Sequence, residues 1–125
     1  MITGAVLHNG TPVIALKVGG SREEVTIEGI LDTGFNGFLC LPISVATSLG
    51  LELIGAPASE LADGTVTQDD LLFAGQVEWN GTKREVEILL TRSEETLIGT
   101  ALLTGYHVAL DYATSTVSIE RIPTK

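Results

Sequence analysis

The chain has 125 residues and a net charge of -9, from 16 Asp and Glu against 7 Lys and Arg; 44% of its residues are hydrophobic and 18% charged. That length suits one domain, residues 1–125, with a real core, and the composition excludes a disordered chain. So few basic residues exclude nucleic acid and an anionic membrane surface as expected partners.

The single cysteine, Cys40, excludes an internal disulfide and a Cys-based zinc site. The sequence shows no basic start with an apolar signal-like run and no apolar run of spanning length, so the expected location is cytoplasmic.

In chain order the dominant hydrophobic period is two, which predicts an all-β fold. Strands are expected near 2–8, 12–18, 23–31, 38–41, 51–61, 65–79, 83–91, 107–111 and 116–122. Asn9-Gly10 and Asn80-Gly81 sit between strand-like segments, where Asn-Gly favours hairpin turns. Asp63-Gly64 is a similar signal, and it predicts a long hairpin through 51–79. Two short helices fit. Pro42 can take the first helical position of 43–49, closed by Gly50, and Thr100 can cap a turn through 104, ended by Gly105.

Asp32-Thr33-Gly34 directly follows the apolar pair Ile30-Leu31. A carboxylate after an apolar strand is costly to bury unless it is paired or hydrogen-bonded. The Thr hydroxyl can donate, and the Gly lets the backbone turn tightly beside the acid. The tripeptide alone is weak evidence, but its setting strengthens it. Downstream, Leu97-Ile98-Gly99 offers two apolar residues and a glycine that would let one strand pass close to another backbone. The hairpin turning at Asp63-Gly64 would project over whatever Asp32 faces.

Together these features resemble the retropepsin-like, single-domain aspartic proteases, in particular a prokaryotic branch carrying Asp32-Thr33-Gly34-Phe35-Asn36-Gly37-Phe38-Leu39. The resemblance spans about 13–103. It implies a closed or partly open β-barrel of retropepsin type with one or two short helices. It also implies an aspartic endopeptidase, a hydrolase working on peptide or protein substrates with no metal and no cofactor. The tripeptide occurs once and the chemistry needs two carboxyls, so the implied unit is a homodimer. By the same resemblance Asp32 is the catalytic acid, Thr33 braces the dyad across the chains, and Gly34 contacts the substrate backbone. Phe35 and Ile98 would line subsites, and Ala62, Asp63, Gly64 and Thr65 would form the flap tip.

The chain departs from that pattern in three places. Phe35 stands where the family usually has a small or hydroxylic residue, which puts bulk near the floor of the site. Viral members pair an Asp and an Arg at the positions of Asn36 and Thr100; both charges are absent together here, so no half of a buried ion pair is stranded. A further hairpin over 107–122 extends beyond the short viral chains, whose dimers are held by interleaved termini. That leaves the mode of assembly open.

Plainer readings cover the remaining features. Cys40 is expected to be a buried small hydrophobe, His8 and His107 strand-end residues, Trp79 a hairpin-packing residue, and Asp63, Asp69 and Asp70 a solvated edge. The alternative function is a dimeric peptide-binding or assembly module on the same fold without cleavage.

Overall fold

Alternation of inward and outward side chains builds the strands. In a computed structural model describing residues 1–55, 59–60, 66–67 and 71–123, the strands are β1 (Ile2–Val6), β2 (Pro12–Gly19), β3 (Glu24–Leu31), β4 (Leu39–Pro42), β5 (Glu52–Gly55), β6 (Ser59–Glu60), β7 (Val66–Thr67), β8 (Leu72–Trp79), β9 (Thr82–Thr91), β10 (Thr96–Ile98), β11 (Tyr106–Asp111) and β12 (Thr116–Arg121). Ile14, Leu16 and Val18 of β2 point inward while Ala15 and Lys17 face solvent, which is the period-two pattern of a sheet with one buried face.

Ten strands form one sheet in the order β11-β12-β1-β2-β3-β10-β4-β9-β8-β5. An additional antiparallel pairing of β2 with β8 (Lys17 with Glu78, Val18 with Val77) joins the sheet to itself. The ring β2-β3-β10-β4-β9-β8 is therefore a closed six-stranded barrel, the expected architecture. Its interior holds Ile14, Val18, Leu39, Leu41, Val77, Ile88 and Ile98, each at most 1% exposed. Most neighbours are antiparallel, but β10 runs parallel to β3 and β4 runs parallel to β9. Among the described residues no helix is long and apolar enough to cross a membrane.

The two helices are α1 (Ile43–Leu49) and α2 (Thr100–Leu103). Pro42 lies one place earlier than expected: it is the cap of α1, with φ -58° and ψ 141°, and the last residue of β4. Gly50 closes α1 at φ 75°, in the left-handed region that glycine enters without steric cost. The exposed carbonyls at that helix end are used by the 21–22 turn: Ser21 N and Oγ donate to Gly50 O, and Arg22 N donates to Leu49 O. Thr100 is the first residue of α2 rather than its cap; Gly99 holds the cap position.

The Asn-Gly signals divide. Asn80 (φ 51°) and Gly81 (φ 83°) both take positive φ between β8 and β9, as a two-residue hairpin turn requires. At Asn9-Gly10 only Gly10 does (φ 90°). The Asn9 side chain accepts from Thr11 N, and Gly10 N donates to Leu7 O, so β1 ends at Val6 in a longer loop that contains His8. Within the expected strands 51–61 and 65–79 the described strand residues are those of β5, β6, β7 and β8; residues 56–58, 61, 65 and 68–70 lie outside the described residues. β5 pairs with β8 and β6 with β7, as a long hairpin would, while its turn at Asp63-Gly64 lies outside the described residues, as do Asp69 and Asp70.

The C-terminal hairpin β11–β12 is not an appendage. β1 lies between β12 and β2, pairing with both. Trp79, 1% exposed, meets the Tyr106 ring edge-on at 5.7 Å and 81°, an arrangement the ring quadrupoles favour. Trp79 therefore packs the core rather than only its own hairpin. Cys40, expected to be buried, is half-buried in β4.

The turn of the C-terminal hairpin is closed by Asp111, whose Oδ1 accepts from Ala113 N (2.9 Å) and Thr114 N (3.1 Å). Those two amides hold its carboxyl below the ordinary 3.8. The carboxylate form is the one hydrogen-bonded in the fold, so its contribution is fully present above about 3.8 and fades as pH falls through the lowered value. The amide resonances of Ala113 and Thr114 are expected to titrate with Asp111, with a midpoint below 3.8, and in Asp111→Ala this acid transition should vanish from both.

Candidate active site

The segment 32–38 has no regular secondary structure, and its geometry comes from a hydrogen-bonded seam with β10 and α2. Asp32 N donates to Ile98 O at 2.9 Å, Gly99 N to Phe38 O at 3.1 Å, Thr100 N to Phe35 O at 2.8 Å, and Ala101 N to Gly37 O at 3.2 Å. The parallel register of Ile98 with Leu31 and the antiparallel register of Ile98 with Leu39 place β10 between the two strands that flank the loop. These four backbone donors thus find their partners across the seam.

Two glycines make the seam possible. A Cβ on Gly99 would collide with the carbonyl oxygen of Gly37 and crowd Phe35. A Cβ on Gly37 would run into the Phe35 ring. Phe35 is half-buried and lies over both, so its bulk fills space that these glycines leave empty.

At the end of β3 the chain emerges from buried Leu31 to half-buried Asp32, then to exposed Thr33 and Gly34. Asp32 O accepts from Phe35 N at 3.1 Å, forming a turn. Gly34 N donates to Asp32 Oδ1 at 2.9 Å. A Cβ on Gly34 would sit 3.2 Å from that oxygen, so glycine permits the close approach. The carboxylate is fixed by its own loop, and no side-chain ion pair holds it among the described residues. The Thr33 hydroxyl has no partner within the chain among those residues and faces outward.

The structure brings Asp32, Thr33, Gly34 and Phe35 onto one loop. It corrects the expectation for Ile98. This side chain is 0% exposed and fills the space over Gly29 inside the barrel, so it supports the floor of the site and does not line a subsite. The cause is the register: β10 is hydrogen-bonded on both edges, and its Ile98 side chain takes the inward direction. The flap-tip residues Ala62, Asp63, Gly64 and Thr65 lie outside the described residues. Sequence reasoning marked Leu97-Ile98-Gly99 for close approach to another backbone but did not give it among the expected strands, and it missed that Gly99 faces Gly37. The signal for the pair was present as two glycines, but nothing local says that they meet.

No family model matches the sequence, and no curated protein sequence matches it. Solved structures do match. A retropepsin-like aspartic protease from Rickettsia conorii superposes with a TM-score of 0.62 at 19% identity, over 95% of this chain and 88% of that one. EIAV protease, solved with an inhibitor, superposes with a TM-score of 0.53 at 13% identity, over 74% of this chain and 85% of that one.

Gly99→Ala is expected to lower stability by about 3 kcal/mol, the upper end for overpacking, because the obstacle is backbone rather than a movable side chain. Denaturant titration would measure it, and a surface control, Gly81→Asn, should cost far less. Closed barrel, seam and superpositions agree, and this chain has the fold of the retropepsin-like aspartic proteases.

Proposed function

We propose that residues 1–125 form one aspartic endopeptidase domain that works as a homodimer, with one Asp32 from each chain. The observation that carries this reading is the placement of Asp32. It stands at the mouth of a strand, fixed by its own backbone, with Thr33 and Gly34 exposed beside it. One chain offers one such carboxylate, and a twofold axis beside the loop would supply the second.

The chemistry follows from two carboxyls held close. Both cannot ionise comfortably, so the pair shares one proton. The ionised member takes a proton from water as that water attacks the scissile carbonyl. The protonated member donates to the carbonyl oxygen. Collapse of the tetrahedral intermediate then expels the amine, with a proton passed to its nitrogen. Thr33, outward-facing and without a partner in its own chain among the described residues, would brace the second loop. Gly34 keeps the approach to Asp32 open. Ala62, Asp63, Gly64 and Thr65 would cover an extended peptide, which pairs with such a cover by main-chain hydrogen bonds, and Phe35 presents an apolar surface beside it.

A peptide-library digest by wild type and Asp32→Asn tests the reading. Wild type should cleave, best at acidic to mildly acidic pH, with activity falling as the shared proton is lost. Asp32→Asn should reduce cleavage to background with an unchanged fold. Thr33→Val should loosen the dimer. Undiminished cleavage by Asp32→Asn would overturn the aspartic mechanism. A wild type that binds peptides and never cuts them would favour the peptide-binding module.

A further inference from the structure

The dimer required by that reading needs a surface. β1 and β12 are already paired within one sheet. The sheet ends at two edges, β11 and β5. β5 is short, four residues, and its pairing to β8 shifts register between Leu53 and Gly55. Shortness and bulges are the usual protection against edge-to-edge pairing.

β11 has neither. It pairs with β12 over six consecutive residues without a shift, from Tyr106 with Arg121 to Asp111 with Thr116. Its sequence, YHVALD, contains no Lys and no Pro. Among the described residues it has a strand neighbour on one side only.

The hydrogen-bond phase of that edge can be read off. Ile122 N donates to Gly105 O, so Gly105 and Ile122 are a hydrogen-bonded pair. Alternation along an antiparallel ladder makes His107, Ala109 and Asp111 the residues bonded to β12. The N–H and C=O groups of Tyr106, Val108 and Leu110 then face the open side. These three positions are symmetric about Val108. On the inner face, Tyr106 and Val108 pack against the common core, while Leu110 is 39% exposed.

We infer that β11 pairs antiparallel with β11 of a second copy, Val108 facing Val108 and Tyr106 facing Leu110, so that the sheet of one chain runs on through β1, β12 and β11 into that of the other. The inference rests on the dimeric protease reading and names its surface. An antiparallel strand pair carries a twofold axis, so a second copy is the occupant that satisfies both partners with one set of groups. α2 leads into β11 through Thr104 and Gly105 alone, and the first residue of α2, Thr100, is bonded to Phe35 in the Asp32 loop. The half-site and the open edge are thus joined through one short helix.

The test uses the full chain in the Asp32→Asn background, so that self-cleavage does not intrude, with sedimentation as readout. Adding Leu110→Pro removes an outward N–H and leaves the β12 ladder intact. The dimer dissociation constant should rise about 30-fold, because twofold symmetry removes two interchain hydrogen bonds at once. Circular dichroism should be unchanged. Separately, Val108→Cys should give a disulfide between the two substituted positions on mild oxidation, since directly bonded antiparallel partners lie about 5.5 Å apart at Cα, within disulfide reach. A dimer indifferent to Leu110→Pro that yields no such crosslink would overturn the pairing. So would a chain that stays monomeric. Asp32-dependent cleavage by wild type, measured in parallel, shows whether the protease reading falls with it.

Discussion

The close approach of the Gly37 and Gly99 backbones sets the position of everything chemically interesting in this molecule. The loop from Asp32 to Phe38 has no ladder of its own, and a loop of that length left to itself would sample many conformations. It is held because Gly99 N, Thr100 N and Ala101 N donate to Phe38, Phe35 and Gly37 in turn. Those bonds form only when two backbones meet without side chains between them. The Phe35 ring then closes over the gap. A residue that looks intrusive beside a reactive carboxylate is, in this packing, the lid on a glycine-lined seam.

Asp32 itself illustrates how an unpaired acid is tolerated. It is half-buried, and one oxygen accepts from Gly34 N within its own loop. Partial exposure keeps the charged form hydrated, and the backbone bond fixes its direction. The backbone of Thr100 bonds to Phe35 O. A neutral brace of this kind avoids the desolvation of two ions, and it places the rigidity in the main chain, where side-chain substitution disturbs it least.

Much of the fold was legible because its signals are local. Alternation in β3, β9 and β12 gave strands close to those observed, and Gly50 marked the end of α1 through its need for positive φ. Asn80-Gly81 specified its turn for the same reason. Asn9-Gly10 did not, since the Asn9 side chain bonds to Thr11 N and stabilises a different loop. β10 was absent from the expected strands because three residues show no period, although Leu97-Ile98-Gly99 was marked for close backbone approach. Its strand character comes from β3 and β4 on either side. Ile98 was misplaced for the same reason: an apolar residue near a site points in or out according to a register that only its neighbours fix.

The sequence by itself determined that the chain is built of strands, that Asp32 follows an apolar strand into a glycine turn, and that one chain supplies one such carboxylate. Those properties depend on residue type and short spacing. Tertiary structure decided that β2 meets β8 to close the barrel, that Gly99 meets Gly37, that Trp79 meets Tyr106, and that β1 and β12 are spent within the chain while β11 is left at an edge. Each of these joins residues at least 27 positions apart, counted between the named partners, or depends on which strand lacks a neighbour. No local propensity encodes such a meeting, because its free energy arises only when both surfaces are already formed.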